Sequence, residues 1–215
     1  MSYIELEHIS KKIKSHSILN NITISMDKGF IYGFSGPNGC GKSVLFRIIA
    51  GLVIPSSGNI QISGKNLHRP KRTLPDSIGI MIDAVGLYPY FNAVENLSYL
   101  SSINNTMSKN DIIKVIQRVG LNPNNKESYG KYSLGMKQRL IIAQAIMEKP
   151  DIIIFDEPTN SLDESGVDLF REIVNQEKQR GATILISSHN SEDLEKLCDK
   201  IHYIKNGEIA KVVNK

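Results

Sequence analysis

The chain has 215 residues, of which 40% are hydrophobic and 22% are charged, with a formal net charge of +4 at pH 7. These values are ordinary for a globular domain, or for a domain with a subdomain. No block of like charge is long enough for a nucleic-acid-binding arm, and no apolar run is long enough to cross a bilayer. Two cysteines 158 positions apart do not form a disulfide framework, so we expect a reducing compartment. The first residues contain no basic run followed by an apolar stretch, so we expect no signal peptide.

The predicted elements alternate between strands and helices from residue 30 onward, after a β-rich start. Alternation of apolar and polar residues predicts half-buried strands, and short continuous apolar runs predict fully buried ones. Strands are predicted over residues 3–7, 18–26, 30–35, 58–63, 151–155 and 183–187, followed by a strand pair around Gly207. Helices are predicted over residues 43–51, 93–100, 109–119, 135–148 and 163–178. This order indicates an α/β core interrupted by a helical insert of roughly 60 residues.

A glycine-rich loop connects the predicted strand over residues 30–35 to the helix that follows it. Residues 36–43, GPNGCGKS, fit the phosphate-binding pattern G-x-x-x-x-G-K-[ST] without a mismatch. Backbone N–H groups of such a loop surround phosphate oxygens, and the helix N-terminus adds a favourable dipole. Lys42 would reach the β- and γ-phosphates, and the Ser43 hydroxyl would bind Mg²⁺. The predicted nucleotide-binding residues are Gly36, Pro37, Asn38, Gly39, Cys40, Gly41, Lys42, Ser43 and Val44.

Cys40 has two interpretations at its place in this loop. A helix N-terminus can lower the pKa of a nearby thiol and make it reactive. The sequence favours a small filler instead, because no second cysteine that could resolve an oxidised thiol is close in sequence.

Two carboxylates end an apolar strand later in the chain. Asp156 and Glu157 follow the sequence IIIF, and Asp156 lies 114 residues after Lys42. An acid at the carboxyl end of a core strand is where a Mg²⁺-holding aspartate belongs in phosphate-loop enzymes. We therefore expect Asp156 to contact the metal and Glu157 to act as a general base on water. Because Asp-Glu-Pro-Thr is also a plausible turn, the upstream loop is what favours the functional interpretation.

Five ordered motifs resemble those of the ATP-binding-cassette (ABC) ATPases, and they cover essentially the whole chain. Residues 132–140, YSLGMKQRL, resemble the signature motif, and they stand just ahead of the Asp-Glu strand. The others are the phosphate loop with its acidic strand, residues 160–163 (NSLD) as a D-loop, residues 188–189 (SH) as an H-loop, and residues 86–89 (GLYP) as the junction to the helical insert.

This resemblance implies an α/β fold, with a P-loop NTPase (RecA-like) core, an N-terminal antiparallel β subdomain and an inserted α-helical subdomain. The α/β core would comprise about residues 1–85 and 149–215, and the helical subdomain would comprise about residues 86–148. It also implies head-to-tail dimers, in which each ATP lies between the phosphate loop of one subunit and the signature motif of the other. Ser133 and Gly135 would then bind the γ-phosphate across the interface, His189 would help to hold the attacking water, and Asp163 would support the interface.

The chain departs from the family pattern at several places. Leu134 and Met136 replace the first glycine and the glutamine of the signature motif. Asp83 stands where a strand over residues 78–83 usually ends in a glutamine, and its carboxylate could bind Mg²⁺. Ile13 occupies the place of an adenine-stacking aromatic residue and provides no π face, which leaves acceptance of GTP open.

The acidic residue Asp83 and the signature YSLGM together resemble the pattern of the bacitracin and lantibiotic group of transporters. The resemblance implies a Mg²⁺-dependent ATPase at the cytoplasmic face of a membrane, bound to a separate permease and exporting a peptide antibiotic, with no nucleic-acid partner. An aromatic cluster at residues 88, 90 and 91 is either a groove for that permease or subdomain core. Two alternatives are a soluble ABC-type ATPase that acts on DNA or ribosomes, and a small-molecule kinase.

Overall fold

The structure is a computed structural model of the chain, and it describes residues 2–67, 74–82, 87–189 and 191–215. Asp83 and the first residue of the predicted junction, Gly86, lie outside the described residues.

Ten strands and six α-helices occur within the described residues. The strands are β1 (Ile4–Ile13), β2 (His16–Met26), β3 (Ile31–Ser35), β4 (Ser57–Ile62), β5 (Lys65–Asn66), β6 (Ile78–Met81), β7 (Ile152–Asp156), β8 (Thr183–Ser187), β9 (Lys200–Lys205) and β10 (Glu208–Asn214). The helices are α1 (Lys42–Ile49), α2 (Ala93–Ser101), α3 (Lys109–Arg118), α4 (Leu134–Ile146), α5 (Glu164–Gln179) and α6 (Ser191–Leu197). None of these helices is long and apolar enough to cross a membrane.

A six-stranded sheet forms the centre of the molecule, in the order β10-β9-β3-β8-β7-β6. Strands β3, β8, β7, β6 and β9 pair in parallel, and β10 closes one edge antiparallel to β9. All residues of β3 and β8 are buried, as expected of parallel strands covered on both faces. Because Asp156 pairs with Ser187 and Phe34 also pairs with Ser187, the carboxyl ends of β3, β8 and β7 meet at one edge.

The β-rich start forms a separate antiparallel sheet in the order β2-β1-β4-β5. Strand β1 continues to Ile13, well past the prediction over residues 3–7. The register shifts between Leu6 and Ile9 and again on both sides of Lys11, and His8 has a φ of 52°. Such bulges interrupt the alternation of apolar and polar residues, which is the signal that the prediction followed.

Helix α1 is held between the two sheets. Its buried residues Leu45, Phe46, Ile48 and Ile49 belong to a hydrophobic cluster that includes β1, β2 and one face of the central sheet. Phe46 meets Phe34 of β3 edge to face, with the ring centroids 5.2 Å apart. This packing fixes the start of α1 directly beside the end of β3.

The predicted helical insert contains α2, α3 and α4. Its apolar residues form one continuous cluster with the other face of the central sheet and with α5. Glu177 of α5 is buried and accepts hydrogen bonds from two guanidinium groups, those of Arg118 on α3 and Arg180. The insert is therefore joined to the core by apolar packing and by a buried ion network; its division from the core at about residues 86 and 148 stays a prediction.

His202 on β9 provides a pH-dependent contribution to stability. Its ring is buried and stacks on Phe34 at 5.1 Å, and within the described part of the chain its Nδ1 has no hydrogen-bond partner. Burial, and after it the charge of Lys200, lowers the pKa of His202 from 6.5 to about 4. Between these two values the unfolded chain takes up a proton that the folded chain does not, so the free energy of unfolding falls as the pH falls from 6.5 to about 4.

A His202→Phe substitution is expected to remove this term, which is about 3 kcal/mol. Urea unfolding measures this contribution from the free energies of unfolding of the wild type and His202→Phe at pH 7 and at pH 4. Lowering the pH should change the difference between the two proteins in favour of His202→Phe. His16 is exposed, so His16→Phe serves as the control and should leave that difference unchanged. Parallel pH profiles for wild type and His202→Phe would contradict the assignment.

Candidate functional site

The phosphate-binding loop joins β3 to α1 at the edge where the parallel strands end. Gly41, the N-cap of α1, has a φ of 110°. Because it has no side chain, it does not cap the first N–H groups of α1. A Cβ at Gly41 would also lie 2.6 Å from the side chain of Leu19. At Gly36, a Cβ would lie 2.3 Å from the carbonyl oxygen of Ile204. Both positions thus require glycine for the loop to keep its path.

Lys42 lies over this loop with its side chain almost fully buried. Its ammonium donates to the carbonyl oxygen of Gly36 at 2.7 Å and lies 3.8 Å from Oε1 of Glu157. A buried ammonium between the loop and a carboxylate is placed to interact with a bound anion.

A cleft of about 280 Å³ opens in front of Lys42. The loop, the start of α1 and the two carboxylates that end β7 meet there, as the sequence predicts. Its lining residues are Ile18, Asn38, Gly39, Gly41, Lys42, Ser43, Val44, Asp156 and Glu157. The side chain of Cys40 is buried against the loop rather than in the cleft, which agrees with its interpretation as a filler.

The acidic pair is held by the neighbouring strand β8. The hydroxyl of Ser187 donates to Oδ1 of Asp156 and accepts from the backbone N–H of Glu157 at 2.9 Å. Glu157 itself has a φ of 51°, a left-handed conformation that is uncommon outside glycine and is often found at functional sites.

The carboxylate of Glu157 has one bound and one unbound oxygen. Oε2 lies 2.9 Å from Nδ1 of His189, the residue that the sequence placed beside the attacking water. Oε1 is buried and, among the described residues, has no hydrogen-bond partner; the ammonium of Lys42 lies 3.8 Å from it. A buried acceptor without a partner is costly unless a ligand or water completes it.

The signature segment forms the exposed start of α4. Ser133 is the N-cap of this helix, and its hydroxyl accepts from the N–H of Met136 at 3.2 Å. Neither Ser133 nor Gly135 is among the described residues that line the cleft. Leu134 between them is 73% exposed, so this end of the helix is open to a second molecule.

A family model described as ABC transporter matches residues 19–160 of the chain. The chain belongs to the ABC transporter family. The uncharacterized ABC transporter ATP-binding protein YybJ of Bacillus subtilis is 50% identical over 196 residues, which cover 91% of this ATPase and 89% of YybJ. The bacitracin transport ATP-binding protein BcrA of Bacillus licheniformis is 37% identical over 211 residues, covering 98% of this ATPase and 69% of BcrA.

The solved dimeric structure of MJ0796, a bacterial ABC transporter cassette, matches this ABC ATPase with a TM-score of 0.88 at 23% identity over 98% of each chain. That likeness confirms the predicted α/β P-loop NTPase fold. With the family, it identifies the chain as an ATP-binding, ATP-hydrolysing subunit that powers a transporter. The alternatives of action on DNA or ribosomes, and of a kinase, find no support among these relatives.

Several predicted residues lie outside the lining of the cleft, namely Gly36, Pro37 and Cys40 of the loop, and Ile13, Asp163 and His189 elsewhere. The resemblance places Asp163 at the subunit interface and not in the cleft. Ile13 is the last residue of β1, where it pairs with His16 and is 48% exposed; the apolar residues that line the cleft are Ile18 and Val44. Asp163 is the N-cap of α5, where its carboxylate accepts from Ser165, from the N–H of Gly166 and from Arg139. The hydrogen bond from Ser165, and after it those from Gly166 and Arg139, lower the pKa of Asp163.

Two residues of the ATPase site were not singled out from the sequence. Ser187 binds both members of the acidic pair, and the only signal for it is a polar residue at the end of the apolar run TILIS. Gln138 was quoted within the signature motif without a role, yet its amide reaches the turn after β7.

Proposed function

We propose that this ABC ATPase hydrolyses Mg²⁺-ATP in a head-to-tail dimer and thereby drives export of a peptide antibiotic through a separate membrane permease. One observation carries the hydrolytic part of this proposal. The carboxylate of Glu157, at the carboxyl edge of the central sheet, lies between the ammonium of Lys42 and the imidazole of His189. Its buried Oε1 has no hydrogen-bond partner in the described chain.

In this proposal the triphosphate lies along the loop from Gly36 to Val44. The N–H groups at the start of α1 and the ammonium of Lys42 bind the phosphate oxygens. Ser43 and Asp156 both line the cleft and provide oxygen ligands, which are the kind that Mg²⁺ prefers, so these residues fit the metal. When bound, Mg²⁺ neutralises charge on the phosphates. Asp83, outside the described residues, stays a predicted additional ligand.

Glu157 would act as the general base. Its Oε1 accepts a proton from the water that attacks the γ-phosphate, and the bond to His189 holds Oε2 and thus the plane of the carboxylate. Lys42 stays on the phosphate side of the same carboxylate and stabilises negative charge there.

The second subunit would complete the site. The N-terminus of α4, with Ser133 and Gly135, is exposed and carries the positive end of a 13-residue helix dipole. A γ-phosphate bound by a partner's loop fits this helix start. The solved structure of MJ0796 is dimeric, which supports the same arrangement here.

The base of the nucleotide would be bound with little discrimination. Neither Ile13 nor Ile18 offers an aromatic face for stacking. We expect GTP to be accepted alongside ATP.

The permease would dock on an aromatic patch formed by Tyr88, Tyr90, Phe91 and Tyr99. Tyr90 is 89% exposed and is therefore not subdomain core, whereas the ring centroids of Tyr88 and Tyr99 lie 4.9 Å apart in an edge-to-face pair. Exposed aromatic side chains grouped in this way are typical of protein interfaces. The patch lies on α2 and the segment before it, close in sequence to Asp83.

The substrate class rests on named relatives. BcrA is described as a bacitracin transport ATP-binding protein, and SrtF of Streptococcus pyogenes, 37% identical over 96% of this chain and 88% of its own, as a lantibiotic transport ATP-binding protein. We infer an amphipathic peptide antibiotic for this transporter too.

Growth with bacitracin or a lantibiotic tests the proposal in a sensitive host that expresses the chain with the permease that co-purifies with it. Wild type is expected to raise the tolerated concentration several-fold. Tyr90→Ala is expected to lose both co-purification and tolerance while the isolated chain keeps its hydrolysis rate. Phe30→Ala, which removes an aromatic residue that is 45% exposed elsewhere, is the matched control. Unchanged tolerance to both antibiotics, despite an assembled and active complex, would refute the substrate class.

A further inference from the structure

Gln138 connects the signature helix to the turn that carries Glu157. Its side-chain Nε2 donates to the carbonyl oxygen of Pro158 at 2.8 Å and approaches that of Glu157 at 3.4 Å. Gln138 lies on α4, five residues after Ser133, and the turn follows β7. The contact therefore joins two elements that serve different parts of the proposed ATP site.

The turn at Glu157 needs such support because its backbone is in an unfavourable conformation. A left-handed non-glycine residue costs on the order of 1–2 kcal/mol and persists only where its surroundings hold it. The N–H of Glu157 is held by Ser187 from β8. Gln138 holds the carbonyl side from α4, so the peptide groups on both sides of Glu157 are bound by side chains from different elements.

We infer that Gln138 is a positioning residue for ATP hydrolysis, which aims the carboxylate of Glu157 by binding the backbone of its turn. Gln138 is not among the described residues that line the cleft, so it acts through Glu157 and not on nucleotide. This inference rests on the proposed role of Glu157. It also means that the helix start that serves one ATP site is tied, within the same subunit, to the base of the other.

Methionine at position 138 tests the amide itself, because it has a similar length and no hydrogen-bond donor. Misplacing a catalytic group by about 1 Å can cost about a hundredfold in rate. We expect Gln138→Met to lower the kcat for ATP hydrolysis by about tenfold to a hundredfold with the KM for ATP changed by less than about threefold. Gln144→Met, on the same helix but away from the turn, is the matched control and should hydrolyse ATP at the wild-type rate.

A second measurement separates positioning of Glu157 from support of the signature helix. In the Glu157→Gln background, size-exclusion chromatography with light scattering gives the ATP concentration at which half of the chain is dimeric. Adding Gln138→Met is expected to leave this midpoint unchanged, since Ser133 and Gly135 stay in place.

Two results would overturn the inference. One is a kcat for Gln138→Met equal to that of Gln144→Met. The other is a loss of kcat accompanied by an equal weakening of the ATP-dependent dimer, which would assign Gln138 to the signature helix instead. Failure of the proposed function gives a different result, namely hydrolysis by Glu157→Gln at the wild-type rate. If Glu157→Gln does not dimerise with ATP, the kcat comparison between Gln138→Met and Gln144→Met alone decides the role of Gln138.

Discussion

The Glu157→Gln variant is expected to hydrolyse ATP about two to four orders of magnitude more slowly than the wild type while still binding it. Glutamine keeps the shape of the side chain and can still meet His189, but its amide accepts no proton from water. The loss should therefore appear in kcat, with the Kd for ATP unchanged or lowered. Because ATP is no longer consumed, the dimer that it holds together should accumulate and be detectable by light scattering.

Phosphate release and equilibrium nucleotide binding measure the two halves of this prediction. Glu172→Gln is the control, because Glu172 is exposed on α5 and has no place in the cleft. Wild-type turnover by Glu157→Gln would remove Glu157 from the role of base. Loss of nucleotide binding in the same variant would instead make Glu157 a structural residue of the cleft.

Lys42→Met is expected to weaken nucleotide binding itself. The substitution keeps an unbranched side chain in a buried place and removes the only ammonium within 4 Å of Glu157 in the described chain. Charge-assisted hydrogen bonds are worth about 1.5–3 kcal/mol, so the Kd for ATP should rise by about tenfold to a hundredfold. Hydrolysis should fall further, because the same ammonium stabilises charge on the γ-phosphate.

The effect of Lys42→Met should also be specific to the triphosphate. Lys28→Met is the matched control: this exposed lysine pairs with Asp151 at 3.2 Å, at the opposite end of β7 from Asp156. Fluorescence titration with an ATP analogue should give the wild-type Kd for Lys28→Met. Equal affinity of the wild type and Lys42→Met would show that the loop does not use this ammonium for binding.

The phosphate loop and the acidic pair could be predicted because each is a continuous stretch of sequence with a fixed mechanism. Their meeting in one cleft follows from parallel strands ending at one edge. Ser187 and Gln138 could not be predicted in the same way, since their roles depend on strand register and on contacts between residues 19 or more positions apart. Apolar periodicity locates the helices to within a few residues but says nothing of such partners.

Periodicity also failed where backbone geometry departs from the regular pattern. The bulges of β1 concealed the second half of that strand, and α6, whose seven residues contain two buried leucines, is too short to show a helical period. Motif spacing aligns Ile13 to the nucleotide base, and this stays a prediction. The apolar residues that line the cleft are Ile18 on β2 and Val44 on α1.

The positive φ of Glu157 means that the stability of the fold and the proposed activity favour different residues at this position. Glycine would adopt a φ of 51° without steric cost, whereas a residue with a Cβ is strained there. Among the natural side chains, however, only glutamate places a carboxylate at this distance from the backbone, because aspartate is one methylene shorter. The chain thus keeps a strained residue at the position of the proposed general base, and a screen for thermostability alone is not expected to preserve this glutamate.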